Sequence, residues 1–127
     1  MKIYLAGPMR GIPQFNFPAF HEGAAKLRAD GHVVFNPAER DVAIHGPAFA
    51  ENNLTGDNSQ AEREHGFNLR DALRDDLVWI CAEADAVVCL PGWENSKGVA
   101  AERATALALG LPIFDLLDFQ WAGGGSP

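Results

Sequence analysis

The order of apolar and helical patterns constrains the fold of this chain more than any other feature of its sequence. Four short apolar runs lie at residues 2–6, 32–35, 86–90 and 111–114. Between them, residues 17–27, 68–82 and 96–109 carry apolar or alanine-rich patterns that are typical of helices. Strands that alternate with helices favour a parallel sheet covered on both faces. We therefore predict a single doubly wound α/β domain with a mainly parallel sheet of four to five strands.

The ends of the predicted strands mark the region where a ligand is expected. In flavodoxin- or Rossmann-like sheets of this kind, ligands lie beyond the carboxyl ends of the strands. That rule brings residues 7–11, 36–39 and 91–98 to one rim. Local signals agree with these boundaries: Asn16 is suited to cap the first helix, and Gly110 to end the last.

The domain prediction covers residues 1–122. The segment at residues 37–66 is polar, contains several turn-forming residues and is too long for an ordinary connection. We therefore predict that residues 40–66, hereafter the middle segment, form a long loop or lid. The last five residues, GGGSP at 123–127, are predicted to be a flexible tail.

Charge and composition exclude some functions. Ten basic and seventeen acidic residues give a net charge of −7, which argues against sequence-independent binding of DNA or RNA. A small anion is not excluded, because one helix terminus and one arginine bind it locally. Cys81 and Cys89 lack metal or redox spacing and are interpreted as buried structural thiols. No signal region or membrane-length apolar run is evident, so we expect a cytoplasmic protein.

The third predicted strand leads into the most informative stretch, LPGWENSKGVAAERATALALG. Ser96 is suited to cap the helix, Gly98 leaves its first turn open to a ligand, and the free amides there favour an anion. Glu102 lies one turn further along, with its side chain directed towards the helix start. A simple capping role for Ser96 and a solvated surface position for Glu102 remain alternatives.

Other rim residues allow two interpretations each. Asp76 is a second candidate carboxylate, although a surface position beside Asp75 is equally compatible with the spacing. Tyr4 is the only tyrosine and suits a strand core, and Arg10 suits either solvent or an anion. In combination, two carboxylates near a phosphate site suit cleavage of a glycosidic bond.

The stretches IYLAGPMRG, FNPAE and DLVWICAEADAVVCLPGWENSKG together resemble the nucleoside 2-deoxyribosyltransferase superfamily. Within it, the chain is similar to a group of short, largely phage-encoded proteins of unassigned function. The resemblance implies that Glu102 is the nucleophile at the sugar anomeric carbon and that Tyr4 orients it. It also implies that Asp76, with Asp75 as the fallback, helps the base to leave. The pattern around the nucleophile departs from the family at Ala100, Arg103 and Ala104.

The phosphate site is also implied by resemblance. GPMRG resembles the GSIRG loop of the 2′-deoxynucleoside 5′-phosphate N-hydrolases, and a serine six residues before the nucleophile, here Ser96, binds the 5′-phosphate in that branch. An acid at that position, as in transferases that act on free nucleosides, would repel a phosphate. The expected phosphate and sugar contacts are Gly7, Pro8, Met9, Arg10, Gly11, Ser96 and Gly98.

The expected activity is therefore hydrolysis of a (deoxy)nucleoside 5′-monophosphate to free base and (deoxy)ribose 5-phosphate. Base exchange by a deoxyribosyltransferase and non-catalytic nucleotide binding remain alternatives. No metal or cofactor is expected, and the only small-molecule partner expected is the nucleotide, with no nucleic acid and no membrane. If the protein is phage-encoded, its location is the host cytoplasm.

The resemblance further implies a homodimer or higher homo-oligomer, in which a residue near the C-terminus reaches into the neighbouring site. Ser126 lies at about the right distance for that role, and the apolar run FDLLDFQW is compatible with an interface. His45 and Phe49 are candidates for base contacts, since the middle segment has no counterpart that aligns with the family.

Overall fold

The computed structural model describes residues 1–123, and for residues 120–123 it describes the backbone alone. Four short strands and seven helices alternate along this part of the chain. The strands are β1 (Lys2–Ala6), β2 (Val33–Phe35), β3 (Ala86–Cys89) and β4 (Ile113–Asp115). The helices are α1 (Phe17–Ala29), α2 (Pro37–His45), α3 (Ala48–Glu51), α4 (Asn58–His65), α5 (Leu69–Ala82), α6 (Lys97–Ala108) and α7 (Leu116–Gly123). Short 3₁₀ turns, Pro13–Asn16 and Trp93–Asn95, precede α1 and α6.

The four strands form one parallel sheet in the order β2-β1-β3-β4. Side chains alternate across it, because successive residues of a strand point to opposite faces. Ile3 and Leu5 pack with α1 and α7, whereas Tyr4 and Ala6 pack with α5 and α6. Both faces of the sheet are thus covered by helices. The predicted doubly wound α/β fold is confirmed, with four strands in the described part of the chain.

Side-chain caps begin the helices that border the site. Ser96 Oγ accepts a hydrogen bond from the Val99 amide at 3.2 Å, which confirms the predicted cap of α6. The Asn68 side chain caps α5 in the same way. The prediction for Asn16 was wrong: this residue is left-handed (φ 62°) and its side-chain amide donates to the Pro8 carbonyl at 3.0 Å. It therefore fixes the loop after β1 and leaves α1 without a side-chain cap.

The middle segment is helical, which corrects the prediction of a long loop. It contains most of α2 and all of α3 and α4. Phe49, Ala50 and Ala61 join the core on the α1 side of the sheet. The few apolar residues among many polar ones were enough to anchor it, because each falls on the inward side of a short helix.

Two predictions about surface residues also need correction. Cys89 is buried as expected, but Cys81 lies exposed on α5. The apolar run after β4 turns Leu116 and Phe119 into the core and leaves Leu117 exposed, so it is not a continuous exposed patch. Residues 124–127 of the predicted tail, which include Ser126, lie outside the described residues. Among residues 1–123, no helix has both the length and the hydropathy needed to cross a membrane.

Candidate active site

A cavity of about 600 Å³ lies at the carboxyl ends of the strands, where the sequence predicted a ligand rim. Its size falls within the roughly 300–1,000 Å³ of small-molecule sites. The loop after β1, the middle segment, α5 and the start of α6 all contribute to its wall. The predicted residues that line it are Gly7, Pro8, Met9, Arg10, Asp76, Ser96, Gly98 and Glu102. Neither Tyr4 nor Gly11 belongs to the lining.

Glu102 and Tyr4 form the innermost contact of the site. Glu102 is only 6% exposed and lines the cavity from the second turn of α6. The Tyr4 hydroxyl, itself fully buried in β1, donates to Glu102 Oε2 at 2.5 Å. Burial raises the Tyr4 pKa well above its usual value, so the phenol stays protonated and serves as a donor. Tyr4 thus fixes the orientation of Glu102 from behind, without facing the cavity.

Asp76 is the second carboxyl group at this point. It is buried on α5 and lines the cavity, so the alternative of a surface position for Asp76 is wrong. Its neighbour Asp75 does not line the cavity. Asp76 Oδ1 is buried and has no hydrogen-bond partner among residues 1–123. A buried acceptor without a donor destabilises the folded protein. A proton on this oxygen, or a hydrogen bond from a ligand, would remove that cost.

Burial also sets the protonation of the two acids. The pKa of Glu102 is raised to about 8, mainly by loss of solvation; the Tyr4 hydrogen bond opposes the shift and the charge of Asp76 adds to it. Burial likewise raises the pKa of Asp76 to about 7, with the Asp41 charge acting in the same direction. Two neighbouring buried acids do not readily ionise together. Near neutral pH the pair can therefore hold one proton, which supplies one acid and one carboxylate.

The start of α6 provides an electropositive end of the cavity. Val99 and Ala100 donate their amides to Ser96, which leaves the Lys97 and Gly98 amides without partners inside the helix. Lys97 and Gly98 line the cavity, and a side chain added at Gly98 would meet nothing closer than 3.8 Å. The amides, the helix dipole and the Ser96 hydroxyl together suit an anion.

Arg10 and Lys97 are exposed at the mouth of the cavity. In the amide orientation that satisfies both side chains, Asn58 Oδ1 accepts from Arg10 Nε at 2.9 Å and Nη2 at 3.1 Å. Arg10 is therefore held towards α4 and keeps its positive charge at the rim.

The two glycines of the loop after β1 differ in their position: Gly7 lines the cavity, whereas Gly11, also a predicted phosphate contact, does not. A side chain at Gly7 would come within 2.8 Å of Leu90 Cδ1. Gly11 has a φ of 83° and donates its amide to the Gly56 carbonyl at 2.9 Å, so that amide is not free for a phosphate. Because Pro8 has no N–H, backbone contacts to a ligand from this loop are left to Gly7, Met9 and Arg10.

An ion-pair network next to Asp76 was not predicted from the sequence. Arg40 donates to Asp75 Oδ2 through Nε (3.0 Å) and Nη2 (2.8 Å), and to Asp41 Oδ1 through Nη1 at 2.9 Å. Asp41 is 6% exposed and lines the cavity. The signal that could have revealed it is FNPAERD, where a capping asparagine and a proline begin a helix directly after a strand.

The candidate base contacts have different positions. Phe49 is 2% exposed and lines the cavity, whereas His45 stacks on Phe49 at 5.0 Å and lies outside the lining. Of the residues at which the chain differs from the nucleoside 2-deoxyribosyltransferase motif that it resembles, Ala100 is exposed outside the cavity and Arg103 lies 4.0 Å over the Trp93 ring. These departures therefore do not narrow the cavity.

No cluster of three or more potential metal-binding side chains occurs among residues 1–123. In a comparison with known proteins, the family model described as a domain of unknown function, DUF4406, matches residues 1–115. No curated protein sequence matches the chain. Because the match spans all four strands and every residue of the cavity lining, the chain belongs to the DUF4406 family.

Proposed function

We propose that the protein hydrolyses the N-glycosidic bond of a (deoxy)nucleoside 5′-monophosphate and releases the free base and (deoxy)ribose 5-phosphate. The observation that carries the proposal is the pair of buried acids, Glu102 and Asp76, in one cavity with the open start of α6. One ionised and one protonated carboxyl group are what a displacement at a sugar carbon needs.

The reactive form is the one in which the single proton of the coupled pair lies on Asp76 and Glu102 is ionised. In the first step, Glu102 attacks C1′ and the C1′–N bond breaks. The electron pair leaves with the base, which takes a proton from Asp76. Tyr4 holds the attacking carboxylate in position through its hydrogen bond to Oε2. In the second step, water attacks C1′, gives its proton to Asp76 and releases Glu102, so the enzyme returns to its starting state.

The phosphate would bind at the start of α6. Ser96 keeps its hydroxyl hydrogen for a ligand, because its oxygen is the acceptor in the cap. The Lys97 and Gly98 amides and the Arg10 side chain add donors and positive charge. A free nucleoside would leave these groups without a partner, which supports a monophosphate as the substrate.

The experiment is release of free base from a panel of ribo- and deoxyribonucleoside 5′-monophosphates, measured by chromatography. We expect Glu102→Gln to lower kcat by at least about a thousandfold, because it removes the nucleophile. The control is Glu62→Gln, an exposed glutamate on α4 outside the cavity, which should retain wild-type activity.

Three outcomes would change the proposal. Full activity in Glu102→Gln would remove its role as nucleophile. Release that occurs only when an acceptor base is added would make the reaction a base exchange. Nucleotide binding without release of base under any condition would leave a binding protein on this fold.

A further inference from the structure

The strand order arranges the polar groups along the cavity in a fixed sequence. At the β3 side, α6 contributes its open start and Glu102. Tyr4 on the central strand β1 reaches Glu102. At the β2 edge, α2 contributes Asp41, and the Arg40–Asp75 pair joins α2 to α5.

Asp76 lies between these two ends. It lies on α5, which packs with the Glu102 helix α6 in one core cluster. Its neighbour Asp75 bonds to Arg40, which in turn bonds to Asp41, and all three acids Glu102, Asp76 and Asp41 line the cavity. If phosphate binds at the start of α6, the sugar carbon lies at Glu102 and the leaving nitrogen at Asp76. The remaining part of the ligand, the far edge of the base, then extends towards Asp41.

Asp41 is held in one orientation at that end. Its Oδ1 accepts from Arg40, whose guanidinium is fixed in turn by two hydrogen bonds to Asp75. In the described part of the chain, no donor is bonded to Asp41 Oδ2. Burial raises the pKa of Asp41, and the hydrogen bond and charge of Arg40 oppose that shift and favour the carboxylate. A carboxylate that lines the cavity can only accept hydrogen bonds.

Aromatic side chains form the wall beside Asp41. Phe49 and Phe67 line the cavity, and Phe49 stacks on Phe15 at 5.4 Å and on His45 at 5.0 Å. His45 lies in the last turn of α2, one turn beyond Asp41. Flat aromatic walls with one acceptor suit a planar heterocycle that presents a donor.

We propose that Asp41 selects the base by accepting a hydrogen bond from an exocyclic amino group. The inference rests on the proposed function, since it takes the phosphate and sugar positions from it. Preferred substrates then carry amino-bearing bases such as adenine or cytosine. Hypoxanthine and uracil place a carbonyl oxygen at the equivalent position, where it would face the carboxylate as a second acceptor.

The test compares nucleotides that exchange this amino group for a carbonyl: dAMP with dIMP, and dCMP with dUMP. Two quantities are measured for each: kcat/KM for base release, and the equilibrium Kd by calorimetry with Glu102→Gln present, so that no substrate is consumed. For the wild type we expect a preference of about 10- to 100-fold for the amino member of a pair, the range for a hydrogen bond to a charged group.

Asp41→Asn should reduce this ratio at least about tenfold, because the new amide can donate to a carbonyl. The control, Asp71→Asn on the exposed first turn of α5, should keep the wild-type ratio. Thermal unfolding checks that each variant folds. Asp41→Ser, which also lacks the carboxylate, gives a second measurement of the ratio.

The outcomes separate this inference from the proposed function. A ratio unchanged in Asp41→Asn, or an equal loss for both members of a pair, overturns the role of Asp41 while base release still stands. If the wild type releases no base, the Kd ratio alone decides: a preference for amino bases that the variant loses supports Asp41 as the selecting residue.

Discussion

Glu102 is buried, so its ionised form lowers the stability of the folded state. Burial raises the pKa of Glu102 to about 8, so the folded protein keeps a proton on the Glu102–Asp76 pair up to about that pH, whereas a glutamate in the unfolded chain releases its proton near 4.5. Between these values the folded state binds more protons than the unfolded state. The free energy of unfolding therefore falls as pH rises through this window. A residue that costs stability in this way is typical of a functional position.

We predict that Glu102→Gln stabilises the protein, and more so at pH 8 than at pH 5. The amide keeps an acceptor for the Tyr4 hydroxyl but carries no charge to bury. The expected gain at pH 8 is on the order of 1–3 kcal/mol. Chemical denaturation at the two pH values measures it, with Glu62→Gln as the control. Equal gains at both values would show that burial does not hold the proton on Glu102.

At the scale of elements, the middle segment and the loop after β1 are packed into one unit. Gly56 has a φ of 66°, and a side chain there would lie 2.3 Å from the Ile12 carbonyl oxygen. The Gly11 amide donates to Gly56, and the Gln14 amide donates to the Asn53 carbonyl at 2.8 Å. The loop after β1 and the middle segment, which form two walls of the cavity, are therefore joined at the turn around Gly56.

We predict that Gly56→Ala destabilises the protein by at least about 3 kcal/mol, because it adds a backbone clash to an unfavourable left-handed conformation. Gly66→Ala is the matched control, since its φ is 69° but no atom lies within 4 Å of the added carbon. It should cost only about 1–2 kcal/mol. Denaturant unfolding measures both. Equal costs would mean that the loop yields to the added methyl group.

These elements also show how far the sequence could be interpreted. The strands and the helices around them were predictable, because β1 and β3 are continuous apolar runs and Ser96 and Gly110 mark the ends of α6. The middle segment was not, because its helices are short and polar and are stabilised by tertiary contacts of residues such as Phe49.

Some residues of the candidate site could likewise be predicted from the sequence, and others could not. Glu102, Asp76 and Ser96 were identified, and the structure brings them to one cavity. The position of Gly11 outside the cavity could not be predicted, because its hydrogen bond to Gly56 joins residues distant in sequence. Asp41 was missed for the same reason: its partner Arg40 is held in place by Asp75, which lies 35 positions further along the chain.

At the scale of the whole molecule, the cavity joins every layer of the fold. Its wall draws on the loop after β1, the middle segment, α5 and α6, so a ligand there contacts regions that must separate on unfolding. Ligand binding should for that reason stabilise the domain as a unit.

We predict that a bound nucleoside 5′-monophosphate raises the Tm. At about 100 times its Kd the gain is about 2.7 kcal/mol, or on the order of 10 °C for a chain of this length. Glu102→Gln serves as the protein, so that no substrate is consumed. The unphosphorylated nucleoside at the same concentration is the control and should give a smaller shift. Equal shifts for the two compounds, measured by circular dichroism, would place the phosphate outside the α6 start.

The position of Arg10 and Lys97 at the mouth has a kinetic consequence. The chain as a whole carries a net charge of −7, so its long-range field repels an approaching anion. Only within about a Debye length, roughly 8–10 Å at ordinary ionic strength, would the two mouth cations outweigh that field. Added salt should then speed the encounter by screening the distant repulsion, until it also weakens the local attraction. The capture of an anion by this acidic protein would be fastest at an intermediate ionic strength.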